Sequence, residues 1–476
     1  MLINYIYITL LERGNLMNRD YIFHEYTNSL CPECLQIIPA KIILKEEKVY
    51  LLKYCPIHGE QMELLEEVAD YHLKKNKYDK PGTPMKIYSK VEKGCPYDCG
   101  TSGTCPQHDQ HGCIGLIEIT TKCNLKCPLC FADAGDGNFL SINEIEKMMD
   151  FFIDSEYGQG EILQISGGEP TIHPDIIEII KLAKSKNFKY VMLNTNGIKI
   201  AQDEDFARQL QQFVGGFEVY LQFDGFKETT YNTLRGKNLL PLKKKALEHL
   251  SKHKIPTTLV STITAGVNDD EVGEIFTFGI NNTCVRGINF QPAAFFGRVN
   301  NIDRTNRVTL SGILKRLEKQ SAGMLKMDDF IPLPCNSERV ALTYMYKTSK
   351  GGFIPITRNT KILEYLHLIN NTFVFTIEDA LKNAGGSITD IKTTCDCFKF
   401  LKDFKQIVPV DFFLKSKQKK IEYVDENTFR ISVTSFVDAY NFDTRAMQKE
   451  CVHVVTKDLR KIPFSAYNII HRNGCT

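Results

Sequence analysis

Leu116-Ile-Glu-Ile-Thr-Thr-Lys-Cys-Asn-Leu-Lys-Cys-Pro-Leu-Cys-Phe131 decides how this chain is read. Leu116 to Thr120 is a short apolar run that reads as a strand. A loop carrying Cys123, Cys127 and Cys130 comes directly after it. Three thiolates at this spacing cannot fill a four-iron cluster. They hold three irons and leave the fourth open to a ligand that is not protein. For three cysteines alone, a zinc knuckle or a four-cysteine cluster with a distant fourth ligand is the plain alternative.

Downstream of this loop, strand-like and helix-like segments alternate. Strands are expected at 161–165, 190–197, 217–225, 257–263 and 287–292. Helices are expected over 142–153, 174–186, 203–213, 241–253 and 270–280. Ser141 caps the first helix, and Glu144 completes a capping box. Six β/α units predict an α/β fold, a partial (β/α)6 TIM-like barrel over 115–300. Ligands in such sheets sit at the carboxyl ends of the strands. The cysteine loop lies at one such end and Ser166-Gly167-Gly168-Glu169-Pro170 at the next. Asn194, Asn196, Gln222, Asp224 and Ser261 are polar residues at or near later strand ends.

The 476 residues suggest about three domains. A formal charge of +2 gives no sign of nucleic-acid binding by counterion release. The run Lys243-Lys244-Lys245 reads as a solvated helix face. No stretch reaches the length of a membrane span. The apolar start lacks a basic region and a cleavage site, so residues 1–16 read as an extension ahead of Met17. A cytoplasmic protein is expected.

Sixteen cysteines without a leader read as metal ligands rather than disulfides. Cys31, Cys34, Cys55 and His58 form two knuckle-like pairs, expected to hold mononuclear zinc or rubredoxin-like iron as a folding staple in a module over 17–90. Cys95, Cys99, Cys105 and Cys113 form an auxiliary iron–sulfur segment over 91–114, with His108 and His111 between ligands. Cys335, Cys395, Cys397 and Cys451 are expected to share a second auxiliary cluster within a cysteine-containing α+β C-terminal domain, 301–476. Cys284 and Cys475 stay unassigned.

The cysteine loop, followed one strand later by Gly-Gly-Glu, resembles the radical S-adenosylmethionine (SAM) superfamily. Finer motifs resemble one multi-cluster branch of it. They include Cys31-Pro-Glu-Cys34, Gly94-Cys-Pro-Tyr-Asp-Cys-Gly100, Gln110-His-Gly-Cys113, Leu221-Gln-Phe-Asp-Gly225 and Asn289-Phe-Gln-Pro292. That branch includes archaeal tetraether-lipid synthases and proteins labelled 7,8-dihydro-6-hydroxymethylpterin dimethyltransferases.

The resemblance implies a SAM-binding 4Fe-4S cluster on Cys123, Cys127 and Cys130, with Gly167, Gly168 and Glu169 cradling the methionine amine. It implies ribose and methionine contacts from Asn194, Asn196, Gln222, Asp224 and Ser261. It further implies one or two auxiliary 4Fe-4S clusters, a flavodoxin- or ferredoxin-type reductant, and an anaerobic setting. One departure stands out. Gly100-Thr-Ser-Gly-Thr104 stretches the second gap of the auxiliary loop to five residues, which weakens any mechanism with two SAM-cleaving centres.

Three readings of function are open, in this order. The first is hydrogen abstraction from lipid alkyl chains with carbon–carbon coupling, which allows transient membrane contact. The second is C-methylation of a pterin, and the third is a non-catalytic iron–sulfur carrier. No general base stands out, because Glu169 is more simply a SAM contact.

Overall fold

The computed structural model describes residues 19 to 472, apart from 84, 87–88, 100–104, 301, 349–350, 360–361, 369–371, 374–415, 417–418, 420–422 and 424–425. The expected ligands Cys395 and Cys397, the extension 1–16 and Cys475 lie outside the described residues.

Strands β1 (Ile22–Leu30), β2 (Ile37–Lys45), β3 (Lys48–Cys55) and β4 (Gly59–Glu66) pair antiparallel in sequence order. Alternate residues of β2 and β3 turn inward, so Ala40, Ile42, Val49 and Leu51 make a small core of their own. Carboxylates dock this sheet on the helix Leu310–Gln320. Glu66 accepts from the Ser311 amide at 2.9 Å, and Glu67 accepts from the Thr309 amide at 3.2 Å. Negative charge at a helix N-terminus is favourable.

The six expected β/α units are present. Their strands are β5 (Ile114–Glu118), β7 (Gly160–Ser166), β8 (Phe188–Thr195), β9 (Phe217–Gln222), β10 (Thr257–Ile263) and β11 (Val285–Pro292), paired parallel in that order. The two-residue strands β6 (Leu129–Cys130) and β12 (Arg298–Val299) pair with each other beside the cysteine loop. Ser141 accepts from the Glu144 amide and Glu144 returns the bond, as the spacing predicts. Ile117, Leu163, Leu193, Val219 and Leu259 face the helices and are fully buried.

The segment after 300 does more than append a domain. It supplies β13 (Ile331–Pro332), β14 (Val340–Lys347), β15 (Phe353–Pro355), β16 (Thr428–Thr434), β17 (Val452–Val455) and β18 (Lys461–Pro463). β16 lies parallel to β11, with Arg430 opposite Gly287, and β17 lies parallel to β5, with Val452 opposite Ile114. Eight parallel strands therefore stand side by side, flanked by antiparallel β14 and β18. The last two parallel strands come without a regular β/α repeat, so periodicity alone does not announce them.

Candidate active site at the strand ends

The cysteine loop and the glycine motif are built into each other. The Gly168 amide donates to the Thr120 carbonyl at 2.8 Å and the Glu169 amide to the Lys122 carbonyl at 2.9 Å. A Cβ on Gly167 would stand 2.3 Å from the Thr120 oxygen, and one on Gly168 would stand 2.1 Å from the Lys122 oxygen. Gly167 also has a φ of +130°. These glycines therefore admit the backbone of the cysteine loop itself.

Glu169 is buried and accepts from the Thr171 amide at 3.1 Å, the Thr195 hydroxyl at 2.7 Å and the Asn196 amide at 2.7 Å. It ties the ends of β7 and β8 together. Asn196 donates to Asn124 inside the cysteine loop at 2.7 Å, and Asn194 donates to Ser166 at 3.2 Å while accepting from Gln164 at 2.8 Å.

Cys123, Cys127 and Cys130 open onto a cavity of about 250 Å³ that also has Gly167, Gly168, Glu169, Asn194, Asn196 and Gln222 in its wall. Burial pushes the Cys123 thiol up to about 12. A thiol in such a wall needs a bound cation to become a thiolate. The three sulfurs, the packed glycines and the adjoining cavity fit a three-thiolate cluster with a free corner.

Two expected SAM contacts have other partners in the structure. Asp224 is fully buried and takes both prongs of Arg235, at 2.8 and 2.7 Å. Ser261 donates to the Phe223 carbonyl and does not line the cavity; its neighbours Val260 and Thr262 do. Successive strand residues face opposite sides, so Ser261 is out of phase with the site.

Other functional positions escape a reading of the sequence. Arg235 donates to the Leu129 carbonyl at 3.2 Å, between Cys127 and Cys130. Lys243 does not lie on a solvated face. It is fully buried, donates to the Asn196 carbonyl and to Gln222, and burial pushes its ammonium down to about 8. Its spacing to Ala246, Leu247 and Leu250 puts it on the buried helix face, a signal the lysine run conceals.

Deeper in the cavity, Asn289 donates to the Tyr220 hydroxyl and accepts from Ser432 and Thr434 at 3.1 Å each. Phe131, Phe296, Phe436 and Phe464 line the same space. Ser432, Thr434, Phe436 and Phe464 come from beyond residue 300, so the six-unit core and the C-terminal segment share the site.

The remaining ligand groups divide in a way the linear order does not show. Cys31, Cys34, Cys55 and His58 converge within 4.8 Å. The sulfur of Cys113 lies within 4.8 Å of those of Cys335 and Cys451. The pairing of β5 with β17 draws Cys113 to Cys451. Among the described residues, no helix is long and apolar enough to cross a membrane.

The Radical SAM superfamily model matches residues 117–279, and the HMPTM N-terminal zinc ribbon domain matches residues 23–67. The chain is 35% identical to the 7,8-dihydro-6-hydroxymethylpterin dimethyltransferase of Methanocaldococcus jannaschii, over 94% of each chain. It is 31% identical to a probable GTP 3′,8-cyclase of Methanothermobacter thermautotrophicus over 36% of this chain and 55% of that one. Among solved structures, Streptococcus suis SuiB bound to its precursor peptide SuiA is similar with a TM-score of 0.38 and 18% identity, over 44% of this chain and 46% of that one.

Proposed function

The chain belongs to the radical SAM family that includes the Methanocaldococcus jannaschii pterin dimethyltransferase, and on that premise we propose that it C-methylates a pterin-like ring. The observation that carries this reading is the cavity wall: amides and hydroxyls of Gln164, Asn194, Tyr220, Asn289 and Gln291 set among aromatic faces. A flat heteroaromatic ring offers donors and acceptors to such groups and stacks on Phe side chains. An alkyl chain would match only the aromatic part of that wall. The lipid-coupling reading therefore has less support.

When bound, the reduced cluster would supply an electron that splits SAM into methionine and a radical able to take hydrogen from an unactivated C–H bond, while the carbon added to the ring would come from a separate methyl or methylene donor. A flavodoxin- or ferredoxin-type donor is the reductant this chemistry calls for. Gly167, Gly168, Glu169, Asn194, Asn196 and Gln222, in the cavity wall beside the cysteines, would orient SAM. Arg235 and Lys243 set the loop and the β8 end in position. The aromatic wall keeps water from the reacting carbon.

The test uses anaerobically reconstituted protein with SAM, a reductant and 7,8-dihydro-6-hydroxymethylpterin. Pterin binding and faster 5′-deoxyadenosine formation in its presence are expected. No pterin binding, together with deuterium transfer to the nucleoside from labelled lipid, would return the lipid reading to first place.

A further inference from the structure

The cavity that opens at the cysteine loop continues toward the amino ends of the strands, where Arg430 stands in its wall. Alternate strand residues share a face, so Glu218 turns inward with Tyr220 and Gln222 of β9, and Arg430 with Ser432 and Thr434 of β16. Glu218 and Arg430 lie four residues before Gln222 and Thr434, roughly 13 Å deeper along the strands.

Gly287 lets Arg430 reach across the sheet. It lies opposite Arg430 on β11, and a Cβ there would stand 2.7 Å from the Arg430 carbonyl oxygen and 3.3 Å from its Cβ. With that position bare, the side chain passes over β11 to the next two strands, β10 and β9. Its Nη2 donates to Thr258 at 3.2 Å and to Glu218 at 3.3 Å.

Both Nη2 hydrogens are thereby used. Among the described residues, nothing accepts from Nε or Nη1, although the side chain is only 25% exposed. A half-buried guanidinium edge in a cavity wall calls for an oxygen acceptor on the ligand. The buried carboxylate of Glu218 already balances the charge. An anion would therefore gain less here than beside an unpaired arginine, while a neutral carbonyl keeps the full benefit of a charge-assisted hydrogen bond.

We propose that Arg430 selects the substrate by donating, through this free edge, to a carbonyl oxygen on the side of the ring turned away from the SAM cysteines. On the pterin reading, on which this assignment rests, Arg430 also sets the orientation of the ring. The carbonyl-bearing half faces the floor of the cavity, and the fused second ring faces the cysteine loop.

The test measures binding to the anaerobically reconstituted full-length protein with SAM present. Its two probes are 7,8-dihydro-6-hydroxymethylpterin and the analogue with an amino group in place of the ring carbonyl. The wild-type protein is expected to bind the carbonyl compound about tenfold more tightly or better, because a hydrogen bond to a charged group is at stake. R430M is expected to lose that preference. A preference retained in R430M, or equal binding of the two probes by the wild-type protein, would overturn the proposal and leave the pterin reading standing. Should R430M fail to fold, T258V keeps the guanidinium but removes one of its two anchors. A reduced preference is expected there, and an undiminished one would count against Arg430. If the wild-type protein binds neither probe, the pterin reading falls and the role of Arg430 falls with it.

Discussion

Asp224 grips Arg235 through two hydrogen bonds of 2.8 and 2.7 Å, and the third guanidinium nitrogen reaches the Leu129 carbonyl inside the cysteine loop. The pair is buried, and the Thr262 amide also donates to Asp224 at 3.1 Å. The charge beside the cluster cysteines is thus held by a carboxylate on the neighbouring strand end.

Removing one partner should therefore cost more than a surface pair would. D224A leaves a buried guanidinium uncompensated, and about 3–5 kcal/mol of stability is expected to go. R235K keeps the charge but loses the fork, so a smaller loss is expected, with weaker retention of the SAM cluster. Urea unfolding and iron content after desalting measure the two effects.

G168A should be more damaging to the cluster than its size suggests. Its Cβ would stand 2.1 Å from a backbone oxygen of the cysteine loop, which cannot swing away as a side chain can. The expected result is loss of the SAM-cluster iron with the ribbon metal retained. A variant that kept the full iron complement and SAM affinity would show that the loop can move.

The six units are legible in the sequence because alternation and capping are local signals. Ser141 with Glu144, and the cysteine loop followed by Gly167-Gly168-Glu169, need no tertiary knowledge. Asp224 and Ser261 are harder, since a polar strand end looks the same whether it meets a ligand, an arginine on the next helix or a backbone carbonyl. Lys243 is hidden because three lysines in a row mask the helical phase of the first. Cys113 stands beside Cys451 because β17 pairs with β5 across most of the length of the chain, a register no motif records.

The ribbon ion should be separable from the barrel. Its four donors come from the β1–β2 and β3–β4 turns, and β1–β4 have a core of their own. C34S is expected to release about one metal ion per chain and to expose the ribbon to protease. The SAM-cluster absorbance should stay, because none of its ligands lies in this sheet. Metal analysis and limited proteolysis read the two outcomes.

Lys243 gives the chain a pH dependence with a definite sign. Burial pushes its ammonium down to about 8 from an ordinary 10.5. Between those values the unfolded chain holds a proton that the folded chain has released, so stability rises with pH. Below about pH 8 the charge is present in both states and its burial costs about 3 kcal/mol in full. Lys53, also pushed down to about 8 by burial, acts in the same direction. K243M should therefore flatten the climb of the urea midpoint between about pH 8 and 10, leaving the shares of Lys53 and of Lys80, Lys184 and Lys461, which burial also pushes down. An unchanged slope would mean that Lys243 keeps its proton through this range, with the Asn196 carbonyl and Gln222 compensating the buried charge.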